Sequence, residues 1–198
     1  LIVDVTFTLD TIPGLAMPNY KNGIVSTAQG LKPYRNLYFD IQNEADHSGT
    51  TCGNIRLCDS EARQIRDAVK AVDPQRVVSV SLNSGNTNPS YMIAGGMDLG
   101  LVHGPLSTFS GTGALVTKAK SDYPGLPVHL QEPDRCRSSS CKYTSSQFIA
   151  AATEAKCSGA AGWNFHTNSG YNLSGNTMFN QWLDPSIENA VANGLNSA

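Results

Sequence analysis

Short apolar runs alternate with helical stripes along most of this chain. The runs are Leu1–Phe7, Leu37–Gln42, Val77–Leu82, Leu99–Val102, Pro127–Leu130 and Ala161–Phe165, and their length and residue types predict β-strands. Between them, Glu61–Val72 sets Ile65, Val69 and Val72 on one stripe, with Asp59 or Ser60 available as N-cap and Asp73-Pro74 as the stop. Ala114–Ser121 predicts a shorter helix closed by Pro124-Gly125. Ser146–Cys157 groups Phe148, Ala151, Ala152 and Ala155, with Gly159 placed to stop it. Asp184-Pro185 opens a last helix that Gly194 ends. Segments 11–30, 83–98 and 166–183 are long, polar and rich in Gly, Asn and Ser, and they read as loops that follow strands.

Strand and helix in this alternation imply a parallel sheet with right-handed crossovers, an α/β fold. A doubly wound open sheet fits, and so does a (β/α)₈ TIM-type barrel lacking its first two units. On either fold the long loops gather at the C-terminal ends of the strands, where sites are built. The 198 residues suffice for one core, so residues 1–198 are read as a single domain. Hydrophobic residues make up 40% and charged residues 15%, which favours a globular chain over a disordered one. A net charge of −2 gives no basic face for a nucleic acid. No apolar run approaches the roughly 20 residues of a membrane span. The start, Leu1-Ile2-Val3-Asp4-Val5, lacks the basic residues of a signal peptide and begins inside a strand, so residues are expected before Leu1.

Five cysteines form two close pairs in polar loops, Cys52/Cys58 and Cys136/Cys141, with Cys157 left over. Free thiols in a reducing compartment are one reading; loop disulfides in an oxidising one are preferred, which makes the protein secreted. The spacings suit a zinc site poorly. Asn172-Leu173-Ser174 is a glycosylation sequon.

The chemistry sits where polar residues interrupt the strand pattern. In Leu37-Tyr38-Phe39-Asp40-Ile41-Gln42-Asn43-Glu44-Ala45-Asp46, an apolar strand ends in amides and acids, and alternation puts Asp40, Gln42 and Glu44 on one side. Burying such groups is costly unless they are paired or used. A helix-capping cluster in a loop is the plainer alternative. Val128-His129-Leu130-Gln131-Glu132-Pro133 repeats the design. Two acids at the ends of strands three apart in a barrel face each other across its mouth. Glycoside hydrolysis needs that pair, one carboxyl protonated to aid the leaving oxygen and one ionised to attack the anomeric carbon. Mutual repulsion and burial are expected to push their pKa values apart.

These residues resemble the clan A glycoside hydrolases, especially the endoglucanase and mannanase (cellulase) family of retaining β-glycosidases. The resemblance covers roughly residues 35–166 and rests on strand-end residues in order: Asn43-Glu44, His103, Glu132 and Trp163. It implies a (β/α)₈ barrel represented here by about six units, strands three to eight. It implies Glu44 as acid/base, Glu132 as nucleophile, Asn43 on the sugar 2-hydroxyl, His103 beside the nucleophile and Trp163 as a platform under the sugar. An aromatic face suits the C–H face of a sugar ring. His47, His166 and Tyr171 flank the expected cleft, while Asp46 and Gln131 stand next to the two acids and are expected to orient them. His129 reads as a packing residue.

The chain departs from the family in several places. Ala45 replaces a usual Pro, and Pro105 replaces the Tyr that holds the nucleophile, leaving that task to Tyr91 or Tyr171. The first two strands have no counterpart. A six-stranded remnant exposes two edges, so a missing segment, a second chain or a compacted barrel is expected to complete it. The function implied is endo-acting hydrolysis of β-linked oligo- or polysaccharides without metal or organic cofactor. The rival is a non-catalytic carbohydrate-binding or assembly protein derived from such a barrel. Other enzyme classes find little support: Gly-x-Ser-x-Gly and the phosphate-loop pattern are absent, and Gly111-Thr112-Gly113 lacks the third glycine of a dinucleotide fingerprint.

Overall fold

The computed structural model describes residues 2–8, 15–47, 56–104, 111–132, 144–164, 190–191 and 193–194. Seven strand segments alternate with four helices. They are β1 (Val3–Thr6), α1 (Met17–Gly30), β2 (Leu37–Asp40), α2 (Asp59–Val72), β3 (Val77–Ser79), β4 (Ser81–Leu82), β5 (Gly100–His103), α3 (Thr112–Asp122), β6 (Val128–Glu132), α4 (Ser145–Cys157) and β7 (Gly162–Trp163). Every strand pairing is parallel, in the order β1-β2-β3 and β4-β5-β6-β7. Segments β3 and β4 flank the single residue Val80, so the predicted run Val77–Leu82 is one strand with a break. Among the described residues this makes six parallel strands in chain order with two edges, β1 and β7. All six strands stand where the apolar runs predicted them.

Alternation sorts the side chains. Phe39, Val78, Val80, Leu82, Val102, Val128 and Leu130 face the helices and join the main core with Ile24, Ile65, Val69, Val116 and Ala155. Tyr38, Leu99 and Leu101 form a separate small cluster on the other face. That second face also carries Asp4, Thr6, Asp40, Ser79, His103, His129 and Gln131. Gln131 on β6 reaches Thr6 on β1 at 3.2 Å, so the sheet curls until strands far apart in order face each other across its interior. Near the N-terminal ends of the strands a cavity of about 610 Å³ is lined by Leu37, Tyr38, Leu99, Pro127, His129 and Trp163, among others.

Helix α1 replaces part of the loop expected over residues 11–30. Its buried stripe is only Tyr20, Ile24 and Ala28, and Gly23 and Gly30 weaken the helical signal. Tertiary contacts secure it: Tyr20 donates to the Ile41 carbonyl at 2.7 Å, and Arg76 takes up its C-terminal end. The guanidinium of Arg76 donates to the carbonyls of Leu31, Tyr34 and Leu37 at 2.7, 2.9 and 2.8 Å. The N-cap of α2 is Cys58 rather than Asp59 or Ser60, because Glu61 reaches back to the Cys58 N–H at 2.8 Å. In α4 Thr144 and Gln147 form the corresponding capping box. A π-helical turn, Ser90–Ala94, lies within the loop expected over 83–98. The segment 166–183 and most of the stretch expected as the last helix lie outside the described residues; Ala190, Val191, Asn193 and Gly194 are helical.

Gly100 opens β5 where the ring of Tyr123 lies against the strand. A Cβ there would stand 2.5 Å from Cε2 of that ring, which is fully buried and has little room to shift. Gly100→Ala is expected to destabilise the protein by about 1–3 kcal/mol through overpacking, measured by urea unfolding.

Candidate active site

Three strand ends build the site. After β2 the chain turns over residues 41–46, and this turn is tied down on both sides. Ile41 and Ala45 donate to the carbonyls of Ser79 and Ser81 at 2.9 and 3.0 Å, and Asn43 donates to Phe7 at 2.9 Å. Arg56 donates to the Asn43 carbonyl at 2.7 Å, and the buried Gln42 side chain accepts from the Leu57 N–H at 2.6 Å. Glu44 has φ 48, the one left-handed non-glycine among the described residues. That conformation costs roughly 1–3 kcal/mol, and the bonds around it, including Glu44 N–H to Ser81 Oγ at 3.0 Å, hold it in place. The turn breaks the strand alternation and aims Glu44 over the end of the sheet.

A register shift between Val102 and His103 sets His103 opposite Glu132 on the neighbouring strand. The buried imidazole then lies between the two acids. Its Nδ1 is 3.1 Å from Glu44 Oε1 and 3.8 Å from Glu132 Oε2. One oxygen of each glutamate and one His103 nitrogen all lie within 4.8 Å of one another. The glutamates are partly open to solvent and the histidine is not. Two carboxylates and an imidazole are also a possible donor set for a divalent cation, but here the Nδ1–Glu44 hydrogen bond already ties up two of the three donors.

Electrostatics follow from this placement. The Glu44 carboxyl is held below its ordinary value, first by its hydrogen bond with His103. Burial opposes this, while the charges of His103, His47 and Arg56 add to it. The expected rise of the acid/base carboxyl through repulsion and burial is therefore outweighed by His103. For His103, burial disfavours the charged ring, yet the bond to Glu44 and the fields of Glu132, Asp40 and Glu44 win and raise its pKa. Asp40, fully buried, is pushed up to about 6 by burial and then by the charge of Asp4. Asp4 is itself raised by burial.

Of the residues singled out in the sequence, Glu44, Glu132, His103 and Gln131 come together. Gln131 Oε1 is 3.1 Å from His103 Nε2. His47 Nε2 lies 3.8 Å from Glu44 Oε2, on the exposed rim. Asn43 is adjacent in the anchored turn. Asp46 turns instead to the loop after β4, accepting from the Asn83 N–H at 2.6 Å and from the Asn86 amide. Trp163 is placed elsewhere. It registers with Leu130, packs against the main core and lines the cavity near the strands' N-terminal ends. Tyr91 does not support Glu132, because its hydroxyl donates to the Leu57 carbonyl at 2.8 Å. The His129 ring packs at a tilt against Tyr38, centroids 5.5 Å apart, and bonds Asn164 at 2.9 Å, as a packing residue would. His166, Tyr171, Pro105, Cys52, Cys136 and Cys141 lie outside the described residues. Sequence reasoning passed over Asp4, Thr6 and Ser81. The period-two signal of Val3-Asp4-Val5-Thr6, with polar side chains facing inward, would have marked the first two.

No family model and no curated protein matches the sequence. By fold the chain is similar to several solved structures. One is a glycoside hydrolase, 14% identical with a TM-score of 0.61, matched over 92% of this chain and 44% of that one. Another is GH5_18 from Streptomyces cattleya in complex with GlcNAc, 15% identical at 0.59, over 91% and 53%. A third is native xylanase10C from Cellvibrio japonicus, 13% identical at 0.51, over 76% and 41%. The chain spans about half or less of the length of these structures. At such identities the likeness establishes the fold alone: an incomplete parallel (β/α) barrel.

Proposed function

We propose that this chain carries the catalytic centre of a retaining, endo-acting β-glycosidase, with Glu44 as acid/base and Glu132 as nucleophile. The observation that carries the reading is the approach of the two acids, whose nearest oxygens fall within 4.8 Å across one mouth of the sheet. An approach this close favours the shorter carboxyl spacing of retaining enzymes, about 5–5.5 Å, over the 6.5–9.5 Å that leaves room for water in inversion. In the first step Glu132 attacks the anomeric carbon while Glu44 gives its proton to the departing oxygen. The glycosidic C–O bond breaks and a glycosyl ester with Glu132 forms. In the second step Glu44 takes a proton from water, whose oxygen attacks the same carbon and frees Glu132. Asn43 is assigned to the 2-hydroxyl, and His166 and Tyr171 to the flanking sugar subsites.

The substrate class is a β-linked oligo- or polysaccharide. A further segment or a second chain closes the sheet between β7 and β1. We read the protein as secreted, with Cys52–Cys58 and Cys136–Cys141 bridged. In support, Cys157 is a free, exposed thiol, whereas Cys58 is not free.

The two sheet edges left open among the described residues and the half-length match to the solved structures favour a second reading, a carbohydrate-binding protein that has lost turnover. One experiment separates the two. The protein is assayed on aryl β-glycosides and on soluble β-glucan, mannan and xylan, and the anomer formed first is read by NMR. Hydrolysis with retention supports the glycosidase. Glycan binding without hydrolysis transfers the assignment to the binding protein.

A further inference from the structure

Inside the curled sheet lies a set of polar groups that two-carboxylate chemistry does not by itself require. At its centre is the buried amide of Gln131. The amide nitrogen donates to Asp40 Oδ2 at 3.1 Å, to Thr6 Oγ1 at 3.2 Å and to Asp4 Oδ2. Its oxygen faces His103 Nε2 at 3.1 Å. Turning the amide over would set its oxygen against the carboxylate oxygens of Asp4 and Asp40, so the surrounding network decides its orientation. An amide oxygen only accepts, hence Nε2 of His103 must carry hydrogen.

The consequence falls on the other ring nitrogen. With Nε2 protonated, a neutral His103 presents a bare Nδ1 to Glu44 Oε1 at 3.1 Å. Two lone pairs at that distance repel. A proton therefore resides between them, as imidazolium with carboxylate or as imidazole with carboxylic acid. We propose that Gln131 is a positioning residue that locks the His103 tautomer, so that the proton destined for the leaving oxygen is kept on the His103–Glu44 contact. The inference rests on Glu44 being the acid/base. Once Glu44 has protonated the leaving group, the pair lacks that proton and the facing lone pairs make Glu44 a stronger base towards the incoming water. The proton returns from water, and the cycle balances.

The charged groups around the pair come from every packed element. Glu132 lies on β6, Asp40 on β2 and Asp4 on β1 beyond Gln131, and His47, Arg56 and Asp46 surround Glu44. Above about pH 6 Asp40 is ionised and accepts from the amide, which keeps the lock engaged in the range where hydrolysis would be assayed.

The tautomer is read first, in wild-type protein labelled with ¹⁵N-histidine and without substrate, by two-bond ¹H–¹⁵N correlation. The His103 signals are assigned by their loss in His103→Gln. Hydrogen is expected on Nε2 both in the imidazolium and in the neutral ring that forms when it titrates; a neutral ring with hydrogen on Nδ1 alone overturns the proposal. Because no substrate is present, this result stands or falls independently of the turnover panel that decides the glycosidase reading. Next, Gln131→Met frees the ring to place hydrogen on Nδ1, where it can pair with ionised Glu44. The alkaline limb of kcat/KM is then expected to move down by about one pH unit. A variant that only loses thermal stability, with its alkaline limb unmoved, makes Gln131 a scaffold residue and overturns the proposal. If the variant does not fold, the wild-type tautomer decides.

Discussion

Glu132→Gln is expected to lower kcat/KM on aryl β-glycosides by on the order of 10³-fold or more. The amide keeps the volume and the strand-end position but forms no glycosyl ester, so the double displacement has no first step. The side chain is only 23% exposed, and its charge faces Glu44 across the mouth. Removing that charge relieves repulsion from Glu44 but also weakens the attraction to His103 at 3.8 Å, so the midpoint of thermal unfolding should change little. A large loss of activity with little change in stability would separate a nucleophile from a structural residue. Glu44→Gln should behave differently. A substrate with an acidic phenol as leaving group needs little protonation, so its first step survives and the glycosyl ester on Glu132 accumulates. Mass spectrometry of the intact protein would show that adduct. If Glu132→Gln costs less than tenfold, Glu132 is not the nucleophile.

The second large effect concerns the scaffold. Arg76 is buried, 1% exposed, and lies over the Phe39 ring at 5.3 Å. It pairs with Asp73 at 3.0 Å, and its two Nη groups donate to the carbonyls that end α1 and lead into β2. Arg76→Met keeps the aliphatic stem and leaves Asp73 and three carbonyls short of donors. Breaking one side of a buried pair costs about 3–5 kcal/mol, which for a chain of this size lowers the unfolding midpoint by roughly 10 °C. Calorimetry would measure it, and a shift under 2 °C would refute the capping role. The effect also depends on pH. Burial pushes the Asp73 carboxyl up, but the hydrogen bond from Arg35 and the charges of Arg76 and Arg35 prevail and hold it below its ordinary value. A depressed carboxyl stabilises the fold above its unfolded value, and that contribution is lost as pH falls through the lower folded value. The gap between wild type and Arg76→Met should thus be widest near neutrality and narrow below about pH 4.

The strand-end acids and the parallel order of the sheet were legible from the chain alone. Period-two alternation in Leu37–Asp40 and Val128–Glu132 tells which side each residue takes, and short runs between helical stripes leave little choice but parallel crossovers. The pairing of Glu44 with Glu132 could be expected only by supposing a barrel, since 88 residues of sequence separate them.

Other features were decided only by the tertiary structure. The stripe of α1 is three residues wide and interrupted by glycine, so Arg76 and Tyr20, distant in sequence, make it a helix. Trp163 has the sequence appearance of a sugar platform, yet its register with Leu130 turns it towards the main core. The left-handed turn at Glu44 and the register shift at His103 have no glycine or proline at those positions to announce them. Both arise from hydrogen bonds to neighbouring strands, which a linear pattern of apolar and polar residues does not encode. Local periodicity determines which face a side chain takes; which groups meet on that face is settled by the curl of the sheet, through contacts between residues far apart in the chain.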